Sequence, residues 1–299
     1  MKNNAYIYAS LSILFWGTAA TAFKIALQYV RFYELLFWAS LTACLYLITV
    51  LMIKKEIKVL FTFTKKEYLL SALLGFLNPF LYYIVLFKAY SLLQAQIAQP
   101  LNFLWPLTTV LFSAVILKHK INFRNIIALL ISFLGIMIIS SKGSFSLSKI
   151  ESLWGVFLAL FSSVIWGLFF IINVRDKRSE VHKLTLSFAI GFFYIFIFNI
   201  ANKFDFPDLK GLVACIYVGF FEMGITFVFW LKALSLSDSL SKISNLIYLT
   251  PFLSLFVINF ILKERILPSS IFGLVFIILG ILIQNISMNK NRMEKSKIL

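Results

Sequence analysis

Charge is what this chain most lacks. Only 13% of its 299 residues are Asp, Glu, Lys or Arg, about half of the roughly 25% carried by a soluble domain. Hydrophobic residues make up 61%, more than one water-soluble core can absorb, so lipid is the solvent for most of the chain. Cysteine and histidine are scarce as well. Cys44 and Cys215 fall inside apolar runs, while His119 and His182 sit beside lysines. Two such cysteines build neither a disulfide framework nor a zinc site, and no metal or other cofactor is expected. No glycine-rich phosphate loop, paired carboxylates or Ser/His/Asp set can be assembled. An ATP-driven pump within this chain is thereby excluded, and an enzyme is disfavoured.

What the chain does have is long apolar runs. A membrane span needs about 20 consecutive apolar residues, and ten stretches qualify, at roughly 5–30, 33–53, 68–89, 94–118, 122–140, 152–173, 184–201, 211–233, 239–262 and 268–286. The first is too long for the core of a signal peptide and is read as a retained helix. The net charge of +16 gathers in short clusters between these runs, the pattern of membrane loops and not of a nucleic-acid-binding stripe. With the N-terminus inside, 19 of the 28 Lys and Arg face the cytoplasm and 8 the opposite side, Lys24 lying within a span. Both termini are therefore expected in the cytoplasm of an inner-membrane protein.

The two halves of the chain repeat. Trp16-Gly17 recurs as Trp166-Gly167; Gly75, Lys88, Ala89 and Ser91 recur as Gly219, Lys232, Ala233 and Ser235; Pro106, Lys118, Ile121 and Gly135 recur as Pro251, Lys263, Ile266 and Gly280. Any one pair is weak, but the ordered set at nearly constant offset points to internal duplication. The expected fold is all-α, ten transmembrane helices in two five-helix repeats, 1–145 and 146–288, followed by a basic, frayed cytoplasmic tail at 289–299. Five is odd, so the second repeat must be inverted, as in alternating-access transporters.

With Trp-Gly in spans 1 and 6, Lys24 later in span 1 and proline in spans 4 and 9, this pattern resembles the drug/metabolite transporter superfamily, EamA-type, over nearly the whole chain. The stretch Asn102-Phe103-Leu104-Trp105-Pro106 is similar to one in the YddG-like aromatic amino acid exporters. The resemblance implies export of a small solute without ATP through a central cavity; it does not fix the solute.

Candidate site residues follow from polarity out of place. Glu222 is the only acidic residue deep within a span, where a carboxylate costs a few kcal/mol unless it faces water or a partner. It matches Asn78 in the other repeat, and Gly219, Glu222 and Thr226 share a helix face, as do Gly75, Asn78 and Tyr82. Such groups either bind a substrate ammonium or a proton, or simply tie helices together. Gln99, Asn102, Pro106, Thr109 and Ser113 form a polar stripe on span 4, echoed on span 9 by Ser241, Asn245, Tyr248 and Phe252. Pro100, Pro106 and Pro251 each remove a backbone donor and are candidate hinges, or tolerated kinks. Trp16, Trp105, Trp166, Tyr82 and Tyr248 lie near span middles and not in interfacial belts, suited to line a pocket, although 34 phenylalanines show that rings are abundant here. Lys24 either snorkels to the interface or, as the resemblance implies, binds a carboxylate or gates the outer mouth.

The expected function is secondary transport of a small metabolite, an amino acid or related amine, with the lipid bilayer as the other partner. Glu222 suits an ammonium, Lys24 and Asn102 a carboxylate, the tryptophans an apolar or cationic body. A choline-like quaternary ammonium carrier is the alternative transport reading. A membrane enzyme or scaffold is the alternative from another class.

Overall fold

Inside a bilayer every backbone N–H and C=O must be satisfied within the protein, which leaves a chain of apolar runs little choice but helices. The computed structural model describes residues 2–116, 123–144, 150–202, 205–236, 243 and 246–296, and among these every regular element is helical. The helices are α1 (Lys2–Ala26), α2 (Phe32–Ile53), α3 (Lys65–Gly75), α4 (Tyr82–Leu92), α5 (Ala95–Asn102), α6 (Trp105–Ile116), α7 (Phe123–Ser140), α8 (Leu153–Arg175), α9 (Glu180–Ala201), α10 (Leu209–Tyr217), α11 (Ile225–Ser235), α12 (Thr250–Val257) and α13 (Pro268–Ser296). Among the described residues, six helical stretches are long and apolar enough to cross a membrane: Asn4–Ala26, Phe32–Ile53, Lys65–Leu92, Leu153–Arg175, Glu180–Ala201 and Leu209–Ser235. Ile126–Ser140, Ile247–Leu262 and Pro268–Ile283 are shorter apolar helices. Large apolar side chains such as Leu130, Phe133, Phe193, Phe256 and Phe272 stand outward and exposed. Water would not tolerate so continuous an apolar surface; acyl chains would. This is a multi-pass membrane protein.

Four of the expected spans are broken, the third, fourth, eighth and ninth. In the third, Phe76–Leu81 forms a wide helical turn between α3 and α4, and Asn78 leaves helical geometry altogether (φ −148°, ψ 119°). Pro79 is the cause: it lacks an N–H and disfavours α geometry in the residue before it. In the eighth, Val218–Gly224 forms a similar turn between α10 and α11, with the irregular backbone at Gly224 (φ −107°, ψ −93°). In the fourth, α5 stops at Asn102 and α6 begins at Trp105. Pro106 occupies the first turn of α6, and Pro251 the first turn of α12 after a 3-10 turn at Ile247–Leu249, positions where no helical N–H is needed. These two prolines thus start helices after a break; Pro100 lies within α5. At the C-terminus the expected fraying is not seen: with no proline or glycine after Gly280 to stop it, α13 runs on to Ser296.

The packing follows one pattern with the halves exchanged. Helix α1 lies against α11 and α12 as α8 lies against α4 and α6; α2 rests on the Val218–Gly224 turn as α9 rests on the Phe76–Leu81 turn; α2 meets α9, and α7 meets α13. Two matching glycines allow the closest approaches. A Cβ on Gly75 would stand 2.3 Å from the Ser187 carbonyl, and one on Gly219 would stand 2.2 Å from the Ala39 carbonyl.

Charged groups are fastened at the ends of the helices. In the turn from α8 to α9, Asp176 accepts from the Arg178 guanidinium, which also donates to Ser71 Oγ at 2.8 Å. Lys183, 1% exposed, donates to the Asn173 and Asp176 carbonyls at 3.0 Å each and pairs with Glu180 at 2.7 Å. At the other end, Gln96, also 1% exposed, donates to the Arg265 carbonyl at 3.1 Å and accepts from Leu267 N and Ser270 Oγ at 3.0 and 2.9 Å. Glu264 accepts from the Ala95 and Gln96 amides at 3.2 and 3.4 Å, at the start of α5. This stitches α5 to the segment entering α13.

Candidate functional site

The turns at Phe76–Leu81 and Val218–Gly224 bring the polar middle of the protein together. Glu222 sits in the second turn, and its Oε1 accepts from the Tyr83 hydroxyl at 3.2 Å, just past the first turn. Its Oε2 is buried and has no hydrogen-bond partner among the described residues. From the other direction, Trp16 Nε1 donates to the Glu222 carbonyl at 3.4 Å. Between these two contacts the rings form a circuit. Tyr83 meets Tyr82 with centroids 4.7 Å apart, Tyr82 meets Trp166 at 4.7 Å, Trp166 meets Phe227 at 5.8 Å, and Phe227 meets Trp16 at 5.6 Å. Trp230 joins at Trp16 (5.6 Å) and Trp105 at Trp166 (6.5 Å). Rings at such separations attract one another through their quadrupoles, and their faces attract a cation.

A second polar strand runs beside the circuit. Tyr82 donates from its hydroxyl to Asn102 Oδ1 at 3.2 Å, and Asn102 Nδ2 donates to Ser162 Oγ at 2.8 Å. Gln99, one turn earlier on α5, buries its Oε1 without a partner among the described residues. Thr226 is fully buried; its hydroxyl donates to the Phe221 carbonyl and its own carbonyl accepts from Ser12 Oγ at 3.3 Å. Thr226 therefore fastens the break beside Glu222, and its hydroxyl is spent there.

The model of the EamA-like transporter family matches residues 3–141 and matches again at 153–286. The chain belongs to the EamA-like transporter family. An uncharacterized transporter of Clostridium kluyveri is 27% identical over 199 residues, 64% of this chain and 63% of that relative, so the match spans just under two thirds of its length. An uncharacterized transporter of Archaeoglobus fulgidus is 22% identical over 93% of this chain and 97% of its own. The uncharacterized transporter YvbV of Bacillus subtilis is 25% identical over 99% and 95%. A crystal structure 18% identical in sequence superposes with a TM-score of 0.67 over 97% of this chain and 99% of that one, which places the fold in known company. Family and relatives alike point to a transporter and not an enzyme.

Within this EamA-like chain, Trp16, Tyr82, Asn102, Trp105, Trp166 and Glu222 form one connected set, with Thr226 bound beside it. Asn78 is fully buried in the first turn, both ends of its amide unpartnered among the described residues. Tyr248 stands farther along, against Phe103 at 6.3 Å. Lys24 stands apart: its ammonium donates to the Tyr90 and Leu93 carbonyls, both at 3.0 Å, at the C-terminal end of α4, where a cation offsets the helix dipole. Ser241, Asn245 and the Ser113 side chain lie outside the described residues. A cleft of about 580 Å³ opens elsewhere, around Gln28, Arg31, Glu34, Asp205 and Asp208, and holds none of the expected residues. Its charged groups are engaged: Arg31 bridges Glu34 and Asp205, and Asp208 accepts from the Gly211 amide.

Sequence reasoning missed Tyr83, Ser162, Phe227 and Trp230. Nothing in their spacing separates them from the many other rings and hydroxyls of these spans. Pro79 did carry a signal, a proline directly after the polar Asn78 in the middle of an apolar run.

Proposed function

We propose that this EamA-like protein is a secondary transporter that moves a small ammonium-bearing metabolite, an amino acid or a related amine, outward by alternating access around Glu222. The observation that carries this reading is the unpartnered Glu222 Oε2, enclosed by rings from both halves. A buried carboxylate oxygen without a donor is costly, and a cargo ammonium supplies the missing donor and charge.

In this reading the chain crosses the inner membrane ten times as two inverted five-helix units, 1–145 and 146–288, with both termini in the cytoplasm. The exchanged packing of α1 and α8, the double family match and the Lys and Arg bias support it. Substrate-contacting groups are Trp16, Tyr82, Asn102, Trp105, Trp166 and Glu222. The halves rock about the site, and the breaks at Asn78–Pro79, at Gly224 and before Pro106 and Pro251 take up the change in backbone angle. The clamp of Gln96 and Glu264 on the segment entering α13 closes the outer end in this conformation, with Lys24 beside it.

The test is flux into proteoliposomes containing the full chain. At least one labelled amine or amino acid is expected to exchange across the membrane, and Glu222→Gln to abolish that exchange while the protein still reconstitutes. Absence of exchange for every amine and amino acid, beside an active control transporter, removes the reading.

A further inference from the structure

We infer that the cargo is an organic amine that carries no carboxylate: a protonated amine with N–H donors on an apolar or aromatic body, and not a zwitterionic amino acid. This narrows the function proposed above and rests on it.

The argument is one of charge and donors. A zwitterion brings a carboxylate into the site together with its ammonium, and buried charges are kept only when paired. The cation assigned to that carboxylate from the sequence is Lys24, but its ammonium is drawn onto the Tyr90 and Leu93 carbonyls at 3.0 Å each, closing the end of α4. The amide assigned to it is Asn102, which is strung between the Tyr82 hydroxyl and Ser162 Oγ at 3.2 and 2.8 Å. Trp16 Nε1, the indole donor beside Glu222, is aimed at the Glu222 carbonyl. Glu222 itself forms no ion pair among the described residues, and Tyr83 supplies a neutral donor to one of its two oxygens. The site as built therefore holds one carboxyl group with an open oxygen, ring faces suited to a cation, and, among the described residues, no free counter-charge for an acid group. A cargo carboxylate would meet an ionised Glu222 as a like charge at short range in a medium of low dielectric, whereas a cargo ammonium favours that ionised form.

The open oxygen also discriminates among cations. A primary ammonium donates a hydrogen bond to Glu222 Oε2, which a quaternary nitrogen cannot do, so ring faces alone would hold the latter.

The measurement is ligand binding to the purified full chain in detergent, by thermal shift and titration calorimetry. Matched probes isolate the carboxylate: phenylethylamine against phenylalanine, tryptamine against tryptophan, isopentylamine against leucine, with trimethylated phenylethylammonium as the quaternary arm. At least one amine is expected to bind about tenfold or more tightly than its amino acid, equivalent to about 1.4 kcal/mol, and more tightly than the quaternary probe. Glu222→Gln is expected to erase the preference for amines, and Asp205→Asn, in the cleft away from the site, to keep it. The comparison is made on the wild-type protein first, so it stands even where a variant fails to fold. Amino acids binding as tightly as their amines overturn this inference and leave the transporter reading intact. A quaternary probe that outbinds its primary amine overturns the hydrogen-bond half of it. Failure of amines and amino acids alike, beside a folded protein, overturns both readings.

Discussion

Two long helices of this protein are broken at matching places by different means. At Phe76–Leu81 a proline imposes the break, and Asn78 itself carries the irregular backbone. At Val218–Gly224 there is no proline; Gly224 carries the irregular backbone two residues beyond Glu222. Because the distortion falls on the glycine, Glu222 keeps a near-helical setting and reaches Tyr83 in the other half. Asn78, being the break, buries an amide that binds nothing among the described residues. Each half has an irregular turn at the matching place, while the carboxyl group stands in only one. The scaffold is two-fold and the site is not.

The largest expected effect sharpens that asymmetry. Glu222→Ala should lower amine binding by roughly 30-fold or more, the loss typical of removing one side of a buried charge pair. Asn78→Ala should change binding by less than about threefold, and it should leave stability unchanged or slightly raised, since a buried polar group without partners costs about 1–3 kcal/mol. Calorimetry on both variants checks this. Equal losses would mean that the two positions share the cargo and that the site is as two-fold as the scaffold.

Next comes the feature the breaks have in common. Gly75 and Gly219 each press against a backbone carbonyl of a helix from the other half, at 2.3 and 2.2 Å from an added Cβ. Backbone cannot swing aside as a side chain does, so Gly75→Ala and Gly219→Ala should each cost about 1–3 kcal/mol, and by similar amounts. Detergent melting curves test it. A neutral result for one alone would show that the halves pack less alike than α2 and α9 indicate.

A smaller effect is expected at the clamp on the start of α5. Gln96 joins α5 to the segment entering α13 through three hydrogen bonds. Gln96→Ala should cost about 1–2 kcal/mol of thermal stability, read from detergent melting curves. An unchanged melting temperature would mean that the clamp does not hold the two halves together at this end.

How far these contrasts were legible beforehand depends on which physical signal carried them. The all-helical membrane fold was readable because lipid leaves apolar runs no alternative, and Glu222 because a carboxylate inside such a run is conspicuous. Trp16 and Trp166 were readable as a repeated pair. Their convergence with Tyr82 on Glu222 was not, since it depends on how α1 and α8 cross helices more than 60 residues away. Lys24 shows the limit most clearly: its charge suited an acid group, but the chain says nothing of the α4 carbonyls that hold it. Pro79 was visible as a residue and overlooked as a cause, because prolines one span later drew the same role.

The smallest effect lies outside the membrane and depends on pH. Asp176 joins α8 to α9, where burial by itself would raise its carboxyl pKa; hydrogen bonds and charge from Arg178, aided by Lys183, outweigh burial and hold it below its ordinary value. A carboxyl whose pKa is lower folded than unfolded contributes stability above the unfolded value, about 3.9 for Asp, and loses it as pH falls through the folded value. Melting temperatures of the wild type should therefore be level from pH 7 to about 5 and fall in the more acid range. Asp176→Asn should lower the neutral-pH stability by about 1 kcal/mol and flatten the acid limb, so the two curves draw together as pH falls through the folded value. Since Arg178 also holds Ser71 in the middle of α3, the same substitution loosens the seam between the α8–α9 turn and the first half. Curves that stay parallel down to pH 3 would assign the acid loss to other carboxylates.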